Sequence, residues 1–535
     1  MKTKTHSLAL AGIATLACAC VCVCAPAASA ASGAGANDDN MPNTRIAPNS
    51  PSAPDSVAAL RARFFSGPAL RHAALDKLDP ADLPDDSRIG VVAHLSFYEP
   101  GKKNREQYKF ENMLPFLRAA GVKWVRDDAR VQIAPDGSQT LPAGHQHWLD
   151  GLEQAGIRHL LVTTRSTPKT RELPARDFPD QKYLDYVAFV LKNAARAGGA
   201  VQTWNEPNNW GFQPTYGGRW NGGPWLEKFA GFEAWITDFM HTTSPGCFVV
   251  AGNQNPLLTL EQYKIKPARV DAVDMHHYSR RFPPEYAPRA GEPLHEHARK
   301  YLDEARKLTG NPKLQLWITE TGYSTFKGRA APGAESQPAV TEDMQARLVG
   351  RSLLDMLLAP VDRVFWYSMM DAGRNATATD QNFGLVTADG RPKPAYFVFA
   401  RVIALTRGSA RPAPEIKPDV APEKTCKPRA RAVGQASVES RVMTGALRRD
   451  DGVLLVPVWA TDILPEDPDA EKISFQANVF LPAAIAPEGI VVADLRTGAS
   501  EAANVSVSAK DGRRVVRLTV EDCPKVIVIP AQPQK

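Results

Sequence analysis

The sequence lacks several features that would assign it to other classes of protein. Beyond the N-terminal leader, no stretch has the ~20 consecutive apolar residues that a membrane-spanning helix needs, so a transmembrane span is not expected. Lysine and arginine number 64 against 58 aspartates and glutamates, and they form no dense basic block. Nucleic acid is therefore not predicted as a partner, and the small positive excess is expected to be solvated surface.

Cysteine is scarce once the N-terminus is set aside. Four of the seven cysteines lie within the first 30 residues, which leaves Cys247, Cys426 and Cys523. No pair among these has metal-ligand spacing, so the sequence predicts neither a metal site nor a cofactor. In an oxidising compartment Cys426 and Cys523 could form a disulfide. Cys247 precedes an apolar run and is expected to be a small buried hydrophobic residue.

The N-terminus has the pattern of a removable targeting segment. Lys2 and Lys4 precede an apolar run, and Ala28-Ser29-Ala30 forms an A-x-A cleavage site. We therefore expect residues 1–30 to be a signal peptide and the mature protein to be periplasmic or extracellular. The sequence Leu16-Ala17-Cys18 loosely resembles a lipoprotein signal, so a lipid-anchored form remains the lesser alternative.

Strand and helix patterns alternate from residue 89 to about residue 405. Short apolar runs typical of buried strands are each followed by a segment with helical spacing of apolar residues. The eight predicted strands are 89–95, 123–126, 159–163, 200–204, 248–251, 270–275, 314–318 and 363–367. This alternation fits a (β/α)8 TIM barrel or a doubly wound sheet. The count of eight, and a first strand without a following glycine-rich phosphate loop, favour the barrel.

The remaining sequence divides around this barrel. Residues 31–56 have the composition of a flexible linker, and residues 57–408 are assigned to the barrel with an N-terminal helical extension. Residues 409–432 are rich in proline and charge and are predicted to be a second linker. Residues 433–535 show period-two alternation and hairpin signals, which predict an all-β, sandwich-like domain. We expect this domain to be a structural cap, with a carbohydrate-binding module as the alternative.

Two glutamates follow the apolar residues of the fourth and seventh predicted strands. They stand in the sequences Trp204-Asn205-Glu206-Pro207-Asn208 and Ile318-Thr319-Glu320-Thr321-Gly322. In a (β/α)8 barrel all strand C-termini open on the face that carries the active site, and strands four and seven lie across that mouth. Two carboxyl groups about 5 Å apart are what retaining glycoside hydrolysis requires. The proton donor of such a pair needs a raised pKa, which a neighbouring carboxylate promotes.

The two glutamate motifs resemble the acid/base and nucleophile signatures of clan A glycoside hydrolases. Over residues 89–405 the chain is most similar to glycoside hydrolase family 39 and to related secreted bacterial exopolysaccharide hydrolases. The resemblance implies that Glu206 is the acid/base and Glu320 the nucleophile. It also implies that Arg126 lies beneath the nucleophile and that Asn205 binds the sugar hydroxyl next to the scissile bond.

The same resemblance implies three further substrate-binding residues. On the sixth strand His276 and Tyr278 match a histidine and a tyrosine that face the sugar, and on the eighth strand Trp366 matches a tryptophan that floors the subsite. Adjacent residues of a strand point to opposite faces, so only one of His276 and His277 can face the site. The register of the resemblance favours His276.

Aromatic residues interleaved with glycine and asparagine follow the fourth strand. Flat aromatic rings stack on the apolar C–H faces of sugars, and Trp210 and Trp220 are predicted to bind substrate in this way. The alternative is that Trp225, and with it Trp220, packs beneath the loop.

These observations predict an exported retaining O-glycosyl hydrolase that acts on a polysaccharide or oligosaccharide and needs no cofactor. A non-hydrolytic glycan-binding or matrix-assembly protein on the same scaffold is an alternative, although a binder has no need of the carboxylate pair. A transglycosylase would use the same residues and differs only in the acceptor.

Overall fold

The structure is a computed structural model that describes most of the chain from residue 57 to residue 531. Residues 1–56 and 532–535 lie outside the described part, and so do shorter segments within it: 134–138, 164–180, 197, 210, 254, 289, 330–336, 423–429, 434–435, 440–441, 462–464 and 466–473. The predicted signal peptide and first linker, Trp210 and Cys426 therefore fall outside the described residues.

Eight parallel strands close into a barrel, which confirms the predicted TIM-barrel fold. Each strand pairs with its neighbours in chain order, and the first pairs with the eighth. The strands are β1 Ile89–Val92, β2 Trp124–Asp128, β3 Arg158–Val162, β4 Ala200–Gln202, β5 Phe248–Val250, β6 Ala272–His276, β7 Gln315–Thr321 and β8 Arg363–Trp366.

Helices surround the barrel, and two short ones precede it. Their ends follow local sequence signals: α3 ends at Gly121 and α9 at Gly310, both in the left-handed conformation that glycine adopts at low cost. The side chain of Thr341 accepts a hydrogen bond from the Met344 amide and begins α10. The helices are α1 Val57–Arg61, α2 Ala69–Ala73, α3 Phe110–Ala120, α4 Ala143–Gln154, α5 Gln181–Arg196, α6 Phe212–Tyr216, α7 Pro224–Thr243, α8 Pro256–Ile265, α9 Leu294–Thr309, α10 Glu342–Leu358 and α11 Pro394–Thr406.

Large side chains fill the barrel interior away from its mouth. Trp124, Trp317 and Phe365 pack there with smaller residues of the other strands. The guanidinium of Arg363 lies 4.0 Å from the Trp124 ring centroid and 4.7 Å from that of Trp317. The interior is therefore a packed core, and the polar residues that can do chemistry collect at the carboxyl ends of the strands.

The C-terminal residues form two antiparallel sheets that pack face to face, as predicted for a sandwich. One sheet has the order β9-β14-β15-β21-β17-β18 with β13 also paired to β15, the other has the order β10-β16-β20-β19, and β11 pairs with β12. The strands are β9 Arg411–Pro412, β10 Asp419–Pro422, β11 Ala430–Val433, β12 Ala436–Glu439, β13 Val442–Thr444, β14 Leu447–Arg448, β15 Leu454–Ala460, β16 Ser474–Leu481, β17 Val491–Asp494, β18 Ser500–Ala502, β19 Val505–Val507, β20 Arg514–Glu521 and β21 Lys525–Ile529.

Part of the segment 409–432, predicted as a linker, pairs with strands of the sandwich, and its residues 423–429 lie outside the described part. It supplies β9 to one sheet and β10 to the other, and both are edge strands. Pro412 and Pro422 end these strands, and an edge position tolerates proline because its missing N–H is not needed for pairing there. Strands this short show no alternation in the sequence, which is why composition alone pointed to a linker.

The larger sheet of the sandwich packs on the barrel helices. Leu455 and Trp459 of β15 join the core shared with the barrel, whereas Val456 and Val458 face the second sheet. Arg347 of α10 forms a buried ion pair with Asp522, N to O 3.1 Å. The two domains therefore share one continuous apolar core.

Cys523 lies in this shared core as a buried free thiol. Cys426, its predicted disulfide partner, lies outside the described residues, so the disulfide stays a prediction. Burial holds the pKa of the Cys523 thiol well above its usual value, and the nearby carboxylates add to the shift. Among the helices of the described chain, none is both long and apolar enough to cross a lipid bilayer.

Candidate active site

Two buried glutamates face each other at the carboxyl ends of β4 and β7. Glu206 lies in the turn that follows β4 and has a left-handed backbone, φ 48°. Glu320 lies within β7, where the pairing register with β6 shifts between Ile318 and Glu320. Such irregularities re-aim a side chain at a strand end. One oxygen of each carboxylate and one ring nitrogen of His276 all lie within 4.8 Å of one another.

Glu320 is bound by two donors that favour its ionised form. Nη1 of Arg126 donates to Oε1 at 2.7 Å, and the Tyr278 hydroxyl donates to Oε2 at 2.8 Å. Burial opposes ionisation of this carboxyl, but the positive charges of His276 and Arg126 and these hydrogen bonds outweigh it and hold its pKa below the usual value. Glu320 is therefore poised as an anion.

Glu206 is held by a different pair of side chains. Nδ1 of His276 lies 2.9 Å from Oε1, and the Asn209 amide donates to Oε2 at 2.7 Å. Glu206 is 1% exposed and Glu320 3% exposed, so bulk water reaches neither carboxylate freely. The two glutamates therefore have unlike surroundings, since Glu320 is paired with a fixed cation and Glu206 is not.

Of the two adjacent histidines, His276 faces the carboxylates and His277 points away. Nε2 of His276 lies 3.0 Å from Thr319 Oγ1 and 3.6 Å from Asp274 Oδ2. Burial lowers the pKa of His276, but the negative charges of Glu320, Asp274 and Glu206 together raise it above its usual value. Nε2 of His277 donates to the Pro284 carbonyl at 2.9 Å, and burial lowers its pKa to about 4.

Arg126 connects the site residues through a buried hydrogen-bond network. Its Nη2 donates to Asn205 Oδ1 and its Nε to Gln202 Oε1, each at 2.8 Å. The Gln202 amide in turn donates to Asp274 Oδ2 at 2.7 Å. Sequence reasoning missed Gln202 and Asp274. A usable signal existed, because both are polar residues on the inward face of otherwise apolar strands.

Trp366 does not floor the site, which corrects the prediction made from the resemblance. Its ring is fully buried in the core outside the barrel, between β8 and the helices. Tyr367, one residue further along, lies on the inward side with Phe365. Because side chains alternate along a strand, a shift of one residue exchanges the two faces. Tyr367 therefore has the position that the sequence interpretation gave to Trp366.

A row of rings, which we call the aromatic wall, lines one side of the mouth. It comprises Tyr278, Phe383, Tyr367, His94 and Phe97, and successive ring centroids are 6.2, 5.4, 5.3 and 5.0 Å apart. Burial lowers the pKa of His94 to about 4, so this ring is neutral at physiological pH. The wall begins at Glu320, through Tyr278, and ends beside β1. Apart from Tyr278, its members were not predicted as site residues.

A cavity adjoins Glu206, and Tyr278 of the aromatic wall is among the residues that line it. It encloses about 90 Å³ within an open recess of about 790 Å³ and is lined by Glu206, Trp220, Asn255, Leu257 and Arg280, among others. The predicted substrate contact Trp220 thus reaches the site, whereas Trp210 falls outside the described residues. Trp225 is fully buried beneath the loop, and its Nε1 donates to the Arg219 carbonyl at 2.9 Å.

The site also contains three groups of the kind that bind metals, Glu206, His276 and Glu320. Their oxygens are already engaged: Glu320 accepts from Arg126 and Tyr278, and Glu206 accepts from Asn209. A divalent cation placed here would lie against the Arg126 guanidinium and beside a histidine whose pKa is raised. This donor set is therefore a poor fit to a metal site.

Comparison with known proteins places this geometry on a known fold. No protein-family model matches the sequence, and the curated proteins contain no match to it. Among solved structures, a family 39 glycoside hydrolase from the gut symbiont Bacteroides cellulosilyticus WH2 superposes with a TM-score of 0.55 at 18% identity, over 84% of this chain and 82% of that one. A glucosidase from Croceicoccus marinus gives a TM-score of 0.47 at 13% identity, over 78% and 91% of the two chains. A family 1 β-glucosidase from Thermotoga maritima gives 0.43 at 14% identity, over 61% and 98%. The resemblance read from the two glutamate motifs thus extends to the fold, which this chain shares with a family 39 glycoside hydrolase.

Proposed function

We propose that this chain is an exported retaining O-glycosyl hydrolase that cleaves a polysaccharide or oligosaccharide by double displacement. The observation that carries the proposal is the pair of buried carboxylates, whose oxygens come within 4.8 Å of each other and whose partners differ. Retaining glycosidases hold their two carboxyl groups about 5–5.5 Å apart, whereas inverting enzymes leave room for a water between them.

Glu320 is the nucleophile in this proposal. Arg126 and Tyr278 keep its carboxylate ionised and fix the direction of its oxygens. The carboxylate attacks the anomeric carbon, the bond from that carbon to the leaving oxygen breaks, and a glycosyl ester forms on Glu320. The aromatic wall beside Tyr278 offers rings on which the sugar being transferred can stack.

Glu206 is the acid/base catalyst in this proposal. It gives its proton to the leaving oxygen in the first step, and it takes a proton from the attacking water in the second. The cavity lined by Trp220 and Arg280 adjoins Glu206, so the leaving group is placed on that side of the site. Because each displacement inverts the anomeric centre, two of them retain its configuration.

Mechanism-based labelling tests the proposal directly. A panel of 2,4-dinitrophenyl 2-deoxy-2-fluoro-glycosides should inactivate the enzyme when the sugar matches, and mass spectrometry should find the added glycosyl group on the peptide that contains Glu320. Glu320→Gln should not be labelled, and its hydrolysis rate should fall by roughly 10⁴-fold or more. Glu261→Gln, an exposed glutamate of α8, is the matched control and should be labelled as the wild type is.

Two assays complete the test. A reducing-end assay over a panel of polysaccharides, including the exopolysaccharide of the producing organism, should identify a polymer that the wild type degrades. Proton NMR of the first product should then show the anomeric configuration of the substrate. Inversion, a label on another residue, or polysaccharide binding without any release of reducing ends would contradict the proposal.

A further inference from the structure

A buried carboxylate joins the β-sandwich to the mouth of the barrel. Glu285 lies in the segment 277–293, between β6 and α9, which we call the β6–α9 loop. Nε1 of Trp459, from β15 of the sandwich, donates to Glu285 Oε1 at 2.6 Å. Nε and Nη2 of Arg351, from α10, donate to the two oxygens of Glu285 at 2.8 Å each. Each domain therefore supplies one donating side chain to the same carboxylate.

These contacts are inaccessible to water, so they constrain the loop strongly. Trp459 and Arg351 are both fully buried, and Glu285 is 7% exposed. Removal of one donor from a buried carboxylate leaves part of its hydrogen-bonding capacity without a partner, which is costly away from water. The position of Glu285, and of the loop backbone around it, is therefore coupled to the position of Trp459.

The loop backbone at Glu285 connects in turn to the active site. The carbonyl of the preceding residue, Pro284, accepts a hydrogen bond from His277 Nε2 at 2.9 Å. His277 lies between His276, which contacts Glu206, and Tyr278, which donates to Glu320. The hydrogen bond from Trp459 to Glu285 and the one from His277 to Pro284 thus connect the sandwich to His277, which lies between the two site residues.

The β6–α9 loop also forms one wall of the cavity beside Glu206. Its residues Arg280, Ala287 and Pro288 line that cavity. A displacement of the loop would therefore change both the support of the carboxylates and the shape of the space beside them.

We infer that the β-sandwich positions the active site, with Trp459 and Glu285 as positioning residues that hold His276 and Tyr278 against the two carboxylates. Neither residue reaches the reacting atoms. Without the Trp459 hydrogen bond, Glu285 and the loop relax, and the Tyr278 hydroxyl no longer fixes Glu320. The kinetic effects expected here depend on the proposed function. The structural effects depend only on the hydrogen-bond network.

Trp459→Phe tests the kinetic consequence, because it removes the N–H donor and keeps an aromatic ring in the core. We expect kcat to fall about tenfold, since small misplacements of catalytic groups are costly. Loss of a hydrogen bond to the ionised form of Glu320 raises its pKa, so the acid limb of the kcat/KM profile should move to higher pH by about half a unit or more.

Asp522→Asn is the matched control. It weakens another buried contact across the same domain boundary, the ion pair with Arg347, and its hydrogen bonds among the described residues run to Arg347 and not to the β6–α9 loop. We expect it to lower Tm and to leave the pH profile unchanged. A wild-type pH profile in Trp459→Phe, or an equal shift in Asp522→Asn, would overturn the inference.

Hydrogen–deuterium exchange tests the structural consequence without any substrate. In Trp459→Phe the amides of residues 277–293 should exchange faster, while those of 95–109 on the far side of the mouth should not change. If Trp459→Phe does not fold, Glu285→Gln replaces it in both experiments, because it keeps the shape of the side chain and removes the charge that Arg351 binds. Absence of glycosidase activity in the wild type would refute the proposed function, whereas unchanged exchange in 277–293 would refute only this inference.

Discussion

His276 lies between the two glutamates, with Nδ1 2.9 Å from Glu206 Oε1 and 3.6 Å from Glu320 Oε2. The raised pKa of His276 favours a protonated, positively charged ring at this position. One imidazolium thus holds two carboxylates close together that would otherwise repel each other, and it helps to keep the pKa of Glu320 low.

His276→Gln should therefore change the pH dependence of the reaction. Because a neutral amide removes a positive charge beside Glu320, the pKa of that carboxyl rises and the acid limb of kcat/KM moves to higher pH by about one unit. Activity below the limb is lost because the nucleophile is protonated. Initial rates between pH 3 and 9 measure the shift, with His147→Gln, an exposed residue of α4, as the control. An unchanged acid limb would show that the charge of His276 does not act on Glu320.

Glu206→Ala should lose the most activity on substrates whose leaving oxygen must be protonated. Hydrolysis of substrates with alkoxide leaving groups should fall by about 10²–10⁴-fold, the usual contribution of general acid catalysis. Dinitrophenyl glycosides need no such proton, so glycosylation of Glu320 should remain fast and the glycosyl ester should accumulate.

Azide provides a second test of the Glu206→Ala variant. As a small anion that needs no general base, it should enter the site left by the Glu206 side chain and release the glycosyl ester as a glycosyl azide of retained configuration. Recovery of turnover with azide and a single anomer by NMR are the expected results. Equal losses for alkoxide and dinitrophenyl substrates would contradict the acid/base role.

Tyr367 and Trp366 lie on opposite faces of the end of β8, so their substitutions should have different effects. Tyr367→Ala removes a ring of the aromatic wall, so KM should rise by about tenfold, in line with a lost stacking interaction. Trp366→Ala opens a cavity in the core and should lower the free energy of unfolding by about 3–5 kcal/mol. KM for the variant at Trp366 should stay close to wild type where the protein is folded. A rise in KM for Trp366→Ala alone would restore the original interpretation.

A count of reactive thiols tests the predicted disulfide. Burial raises the pKa of Cys247 to about 12 and that of Cys523 well above its usual value, so neither should react with a thiol reagent in the native state. A protein that begins at residue 31 should show three reactive thiols after denaturation without reductant. A count of one would demonstrate the disulfide between Cys426 and Cys523.

The barrel was predictable because its signals are local. Each strand is a short apolar run, and glycines such as Gly121 and Gly310 mark where helices end. The two glutamates were predictable for the same reason, since each stands at the end of one such run. Site residues that contact each other across different strands were harder to predict. Gln202 and Asp274 stand out in the sequence as polar residues of apolar strands, but their hydrogen bond joins side chains 72 positions apart, so the sequence does not show that the two residues meet.

The other source of error was which side chains of a strand face the inside of the barrel. Trp366 and Tyr367 are adjacent, both are aromatic, and a shift of one residue decides which of them faces the candidate site. The strands β9 and β10 escaped prediction because they are two and four residues long. Strand β10 forms against the longer strand β16, and β9 pairs with β14, which is itself only two residues long.

Strand β15 is buried along its whole length, with one face toward the barrel helices and the other toward the second sheet. Here a cut near residue 409 would uncover apolar surface on both fragments, and neither would keep a complete core. The barrel and sandwich should consequently melt as one cooperative unit, with a single calorimetric transition.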